Sequence, residues 1–195
     1  MSRTLYLLRH GQTRYNAELR LQGRCNSEAD PRGEAQALAM GNRLNELLAE
    51  PASWTLYASP SAGQGRRRNW CVSSLDWERV HHLGRTAGGV RGWGSGESRR
   101  VPELLAAHPE LDLEEPDWYL RPRMARVLRA FSAGPGNGLR TNTLPSRPSW
   151  FPHGLFGAML RGAYADLDYA TTWLQELPQD AFFKLSGGRI ERIAC

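Results

Sequence analysis

The chain predicts an α/β fold with a mostly parallel central sheet, and three observations near its N-terminus carry that prediction. Thr4–Leu8 is a short apolar run cut off by Arg9-His10, as a buried strand would be. Glu34–Glu50 has helical spacing, with Leu38, Leu44, Leu47 and Leu48 on one face and Ala35 and Ala37 beside them. Trp54–Ala58 is a second apolar run, closed by Ser59-Pro60. Strand, loop, helix and strand in this order form the unit from which parallel sheets are built. The leucines of Glu34–Glu50 are expected in the core.

The remaining elements follow in turn. Gly11–Pro31 is polar and irregular and predicts a loop. Residues 61–100 hold eight of the 20 glycines and three of the seven tryptophans without helical or strand period, so no element is expected there. Val101–Glu110 predicts a short helix around Leu104 and Leu105. Arg123–Ala133 predicts a further helix through Met124, Val127, Leu128 and Phe131, ended by Gly134-Pro135-Gly136-Asn137-Gly138. Residues 139–152 lack a period, and the prolines at 145, 148 and 152 argue against a central strand. Gly154–Tyr164 predicts a helix. Ala181–Leu185 and Arg189–Ile193, joined through Ser186-Gly187-Gly188, predict a closing hairpin.

Composition narrows the class. A chain of 195 residues with 41% apolar and 23% charged side chains is ordinary globular material and is read as one domain, 1–195. No apolar run approaches the ~20 residues of a membrane span, and Arg9-His10 interrupts the first one too early for a signal-peptide core. Cys25, Cys71 and Cys195 lie far apart without CxxC spacing, which predicts reduced thiols and no zinc site. His81-His82 has no cysteine or carboxylate partner nearby that would make it a metal site. The expected location is cytoplasmic, with no membrane partner.

The net charge of +5 raises nucleic acid as a partner, but its distribution argues otherwise. Residues 61–100 carry eight arginines against Asp76, Glu78 and Glu97; the rest of the chain has 17 basic and 17 acidic side chains. Arg66-Arg67-Arg68 therefore reads as a solvated run rather than a nucleic-acid patch. Lysine occurs once, at Lys184, against 24 arginines, the bias of a GC-rich gene.

The chemistry concentrates in Arg9-His10-Gly11-Gln12-Thr13-Arg14-Tyr15-Asn16, at the end of the first strand. In open α/β sheets the carboxyl ends of strands are where ligands bind. A neutral imidazole can offer one ring nitrogen as a nucleophile while its other nitrogen is held by a hydrogen bond. The Arg9 guanidinium can clamp phosphate oxygens, and Gly11 lets the backbone approach a ligand.

Arg9-His10-Gly11-x-Thr13-x-x-Asn16 after an N-terminal strand resembles the signature of the histidine phosphatase (phosphoglycerate-mutase-like) superfamily. Leu21-Gln22-Gly23, the Gly33, Gln36 and Ala37 pattern, and Tyr57-Ala58-Ser59-Pro60 extend the resemblance. At the C-terminal side, His153-Gly154 with its following helix is similar to the family's second His-Gly motif, and Pro178–Ile193 to its closing hairpin. The resemblance implies a three-layer α/β/α sandwich and phosphomonoester hydrolysis through a phosphohistidine on His10. Arg9, a further arginine and His153 would stabilise the transferring group. Gly11, Thr13, Asn16, Gln22, Gly23 and Gly154 would line the substrate site, and no metal or cofactor is implied. The implied substrate is a small phosphorylated metabolite, and a homodimer is compatible with the family.

The chain also departs from that pattern. Gly63 stands where the family places its second arginine, leaving Arg66 as the nearest replacement. The stretch expected to hold the acid, Ala87–Gly94, has no carboxylate, so Glu78 and Glu97 are the candidate acids. Residues 61–100 and 139–152 lose period together and then return to the family pattern. That is expected of a GC-rich gene read out of frame over two segments, or of a diverged lid and loop. A phosphoglycerate-mutase-type isomerase and a catalytically impaired relic that only binds phosphate are the alternatives. The chain is short for the mutase, with no insertion for a bisphosphorylated substrate, which favours the phosphatase.

Overall fold

A computed structural model describes residues 4–22, 25, 27–50, 53–58, 80–82, 96–109, 148–151 and 154–195. Its centre is a six-stranded sheet formed by β1 (Leu5–Leu7), β2 (Thr55–Ala58), β3 (Val80–His82), β4 (Pro148–Phe151), β5 (Ala181–Ser186) and β6 (Arg189–Ala194), ordered β3-β2-β4-β1-β5-β6. β2–β3, β2–β4 and β1–β4 pair parallel, while β1–β5 and β5–β6 pair antiparallel. The α/β class predicted from the sequence is therefore observed, with the parallel pairs toward one edge.

Five described helices accompany the sheet: α1 (Arg14–Ala17), α2 (Pro31–Leu47), α3 (Val101–Ala107), α4 (Gly154–Tyr164) and α5 (Tyr169–Trp173). The sequence signals for α2, α3, α4 and the closing hairpin fall within a few residues of the observed ends. The helix expected over Arg123–Ala133 lies outside the described residues.

β1 alternates its side chains between two apolar clusters, as the period of a strand requires. Tyr6 and Leu8 join Phe182 and Ile193 on one face, where Ala37, Met40, Leu44 and Leu48 of the α2 segment cover them. Tyr6 packs its ring against Trp54 and edge-on to Phe182, with centroids 5.1 and 6.0 Å apart. Leu7, Phe183 and Leu185 join Leu160 of α4 in the second cluster, with Leu5, Tyr164 and Ile190 alongside.

Four sequence expectations need correction. Residues 148–151 form a central strand despite the prolines, pairing Tyr6 with Ser149 and Leu56 with Ser149 from its two sides. Pro145 precedes that strand, Pro148 opens it and Pro152 follows it. A proline at a strand's first residue removes at most a terminal ladder bond, and Ser149, Trp150 and Phe151 retain their N–H groups. Second, Leu38 and Leu47 are 49% and 38% exposed. The buried stripe of α2 instead runs through Gly33, Ala37, Met40, Gly41 and Leu44, a helical face that admits small residues close to the sheet. Third, Val80–His82 is a strand within the stretch read as featureless, short enough to leave no period. Fourth, the loop Gly11–Pro31 contains α1, a single turn closed by a reciprocal Thr13–Asn16 capping box, and ends where α2 starts at Pro31.

Candidate functional site

β1 and β4 run parallel, so the motif after Leu7 and the start of α4 after Phe151 emerge at the same end of the sheet. Arg9 reaches across that end. A methyl group added to Gly154 would sit 2.9 Å from its Nε, so the glycine is what lets the guanidinium lie against the start of α4. Its Nη1 donates to the Leu177 carbonyl, while its Nε is buried with no hydrogen-bond partner among the described residues. Burial lowers the Arg9 pKa below its ordinary value. No carboxylate among the described residues pairs with this cation. A guanidinium held in that state is suited to accept an anion.

The Nδ1 of His10 lies 2.8 Å from the Gly11 carbonyl oxygen. A carbonyl only accepts, so Nδ1 is the donor of this bond, and a neutral ring held this way has its lone pair on Nε2. Nε2 is therefore the ring atom able to attack an electrophile.

The loop that carries His10 is fastened to the first turn of α2. Gln12 donates through its N–H to Gln36 Oε1 (2.9 Å) and through Nε2 to Asp30 Oδ2 (2.8 Å), and its carbonyl accepts the Asp30 N–H (3.1 Å). Asp30 caps α2 by accepting the Gly33 N–H at 2.8 Å. That bond, together with the Gln12 amide, holds the Asp30 carboxyl below the usual carboxylate range. Gly11 and Gly33 meet backbone to backbone: a Cβ on Gly11 would fall 2.1 Å from the Gly33 oxygen, and one on Gly33 would fall 1.9 Å from the Gln12 oxygen. Neither position has room for a side chain.

Thr13, Asn16 and Gln22 form one polar group in the segment that follows His10. The Thr13 N–H donates to Asn16 Oδ1 (3.2 Å), the Asn16 N–H to Thr13 Oγ1 (3.2 Å), and the Thr13 hydroxyl to Gln22 Oε1 (3.2 Å). Residues 96–100 back this rim. Leu21 donates its N–H to the Arg99 carbonyl and accepts the Ser98 N–H, Tyr15 donates to Ser98 Oγ, and Arg20 donates to the Ser98 carbonyl. Glu97 accepts from the Cys25 thiol at 3.5 Å, and the Cys25 N–H closes a turn onto the Gln22 carbonyl. The structure thus brings Arg9, His10, Gly11, Thr13, Asn16, Gln22 and Gly154 to one end of the sheet, with Glu97 at the rim. Gly23, Arg66, Glu78 and His153 lie outside the described residues.

Sequence reasoning missed the supporting residues Gln12, Asp30 and Gln179. An aspartate just before Pro31 is the ordinary sign of a helix start and could have been read as a cap. Nothing local to Pro178-Gln179-Asp180 announces that Gln179 reaches Asn16.

A strand-end histidine with one ring nitrogen fixed, next in sequence to a buried guanidinium, is an arrangement suited to an oxyanion. Residues 5–62 match the histidine phosphatase superfamily (branch 1). A probable phosphoglycerate mutase from Salmonella arizonae is 46% identical over 43 residues, which is 22% of this chain and 20% of that relative; the counterpart from Salmonella newport gives the same figures. The matched stretch therefore spans about a fifth of those curated relatives. Among solved structures, a mycobacterial glucosyl-3-phosphoglycerate phosphatase complexed with VO3 superposes with a TM-score of 0.65 at 22% identity, covering 99% of this chain and 97% of that one. A phosphoserine phosphatase from Entamoeba histolytica, complexed with 3-phosphoglyceric acid, gives 0.64 at 15% identity over 93% and 89%. At those identities the likeness concerns the fold. Over residues 5–62, at the N-terminal strand, motif and first long helix, the chain resembles the histidine phosphatase superfamily.

Proposed function

We propose that this protein is a phosphomonoester hydrolase that works through a phosphohistidine on His10, acting on a small phosphorylated metabolite. The observation that carries the reading is the Nδ1–H bond of His10 to the Gly11 carbonyl, which leaves Nε2 as nucleophile. Nε2 attacks phosphorus, the N–P bond forms and the P–O bond to the leaving group breaks. The leaving oxygen takes a proton from a carboxylic acid, for which Glu78 and Glu97 are the candidates. Water then attacks the phosphohistidine, breaking N–P and releasing orthophosphate. Arg9, with Arg66 and His153, neutralises the oxygens of the transferring group, while Gly11, Thr13, Asn16, Gln22, Gly23 and Gly154 line the substrate. Neither a metal nor a cofactor is invoked. The fold accompanying this reading is the three-layer α/β/α sandwich, in a cytoplasmic protein that forms a homodimer.

Hydrolysis of p-nitrophenyl phosphate by the wild type and by His10→Ala tests the reading, with an acid quench for the phosphohistidine. The expected result is turnover and an acid-labile phosphoenzyme, both absent from the variant. Equal turnover in the variant would overturn the role of His10. The identity to phosphoglycerate mutases supports a second reading, transfer of the phosphoryl group to another hydroxyl of the substrate. It predicts interconversion of 2- and 3-phosphoglycerate faster than release of phosphate. A folded protein that binds orthophosphate without turning anything over would be the impaired relic.

A further inference from the structure

We propose that Gln179 is a positioning residue of this site: it fixes the Asn16 amide so that the NH2 end is the one offered to a bound oxyanion. The proposal rests on the phosphoryl-transfer reading above.

Asn16 Oδ1 accepts the backbone N–H of Thr13 at 3.2 Å and Nε2 of Gln179 at 3.0 Å. A carboxamide oxygen has two lone pairs, and both are used. The Thr13 donor is a backbone group and cannot reverse, so the oxygen end of Asn16 is settled by its partner. The same logic fixes Gln179. Its Nε2 faces Asn16 Oδ1 and, at 3.5 Å, the His10 carbonyl oxygen. Both are acceptors, so the nitrogen end must point at them.

The consequence lies at the other end of Asn16. With the oxygen held, the group left to meet a ligand is Nδ2, which only donates. It suits a partner without hydrogens, such as an ionised phosphate oxygen. Were Gln179 unable to donate, Asn16 would keep a single tether and could turn its oxygen toward the anion, a repulsive contact. Gln179 stands two residues before β5, whose first residue, Ala181, is buried, so its backbone is anchored through the sheet rather than through the motif loop. It bridges 163 residues of sequence to reach Asn16.

The test uses Gln179→Glu and Gln179→Leu in the full chain, with thermal melts to show that both fold. At neutral pH the introduced carboxylate sets an acceptor against two acceptors. We expect kcat/KM for p-nitrophenyl phosphate to fall roughly 10- to 100-fold, the size of a lost and unsatisfied buried hydrogen bond. As pH falls and the new carboxyl protonates, it can donate again. The ratio of Gln179→Glu to wild type should climb between pH 7 and pH 5, while that of Gln179→Leu stays flat. A ratio equally flat for both variants overturns the proposal. Independently of activity, the side-chain NH2 resonances of Asn16 in 15N-labelled protein should shift in Gln179→Leu, and their constancy would also overturn it. A wild type that hydrolyses nothing would sink the functional reading, and the Asn16 resonances would still decide whether Gln179 holds the amide.

Discussion

The two faces of the sheet are built on different terms. On the α2 side, Tyr6, Leu8 and Phe182 meet Met40 and Leu44, all of them apolar or aromatic and at most 4% exposed. On the α4 side, Leu7, Leu160, Phe183 and Leu185 share their layer with Arg161, a guanidinium only 4% exposed. Arg161 lies 3.8 Å over the Phe183 ring and donates to the Glu176 carbonyl. Burial lowers its pKa, with Glu176 opposing that shift. Arg161 and Arg9 also line a small open pocket at this face, with Leu7, Leu177 and Phe183. Buried cations oppose stability unless well paired. One face is packed to hold the domain together, while the other accommodates charge toward the end of the sheet where His10 stands.

Substitutions can break that contrast, and the largest effect should come from the apolar face. Phe182 is fully buried, and Phe182→Ala should cost about 3–5 kcal/mol by urea denaturation. Catalytic constants per folded molecule should hardly change. A loss below about 1 kcal/mol would mean that this face is not the main support. Gly33→Ala comes next, because its methyl would collide with the Gln12 carbonyl. Overpacking there should cost about 1–3 kcal/mol and weaken orthophosphate binding by displacing the His10 loop. Calorimetric titration showing wild-type affinity would refute the claim that α2 seats the loop.

Asp30→Ala removes the α2 cap and should cost about 1 kcal/mol. The sign of its pH dependence is set by the lowered carboxyl pKa. The folded value lies below the unfolded one near ~3.9, so the stabilisation is complete above that pH and disappears as pH falls through the folded value. Urea midpoints of wild type and Asp30→Asn should converge between pH 5 and pH 2.5; a constant gap would remove the charge from the account. The smallest effect is expected for Arg161→Met, which trades a desolvated cation for an apolar chain of similar length. It should be neutral or stabilising by up to about 1 kcal/mol. A loss of several kcal/mol would show that the stacked cation is a structural support after all.

Much of this arrangement is legible in the residues. β1, α2, α4 and the closing hairpin are local in origin: an apolar run, a 3.6-residue period or a Gly-Gly turn declares each of them. Gly187 and Gly188 both have positive φ, as the tight turn requires. The motif from Arg9 to Asn16 was equally plain. What stayed hidden depends on partners far away in sequence. β4 is recognisable as a central strand only once β1 and β2 flank it, because its prolines mask the signal that Trp150 and Phe151 carry. Leu38 and Leu47 look like core on a helical wheel, yet the sheet meets α2 along its small residues. Gln179 is one more polar residue until Asn16 is beside it.

The position of β1 in the sheet also sets a timetable. Leu5–Leu7 and the histidine motif are synthesised before both of their neighbours in the sheet, β4 and β5, built from residues 148–151 and 181–186. Until the second of these leaves the ribosome, β1 has an unsatisfied edge, and neither Leu177 nor Gln179 is present to meet Arg9 and Asn16. The motif is therefore made well before its surroundings are complete. A nascent chain halted before residue 177 would carry the whole histidine motif and still lack the groups that meet Arg9 and Asn16.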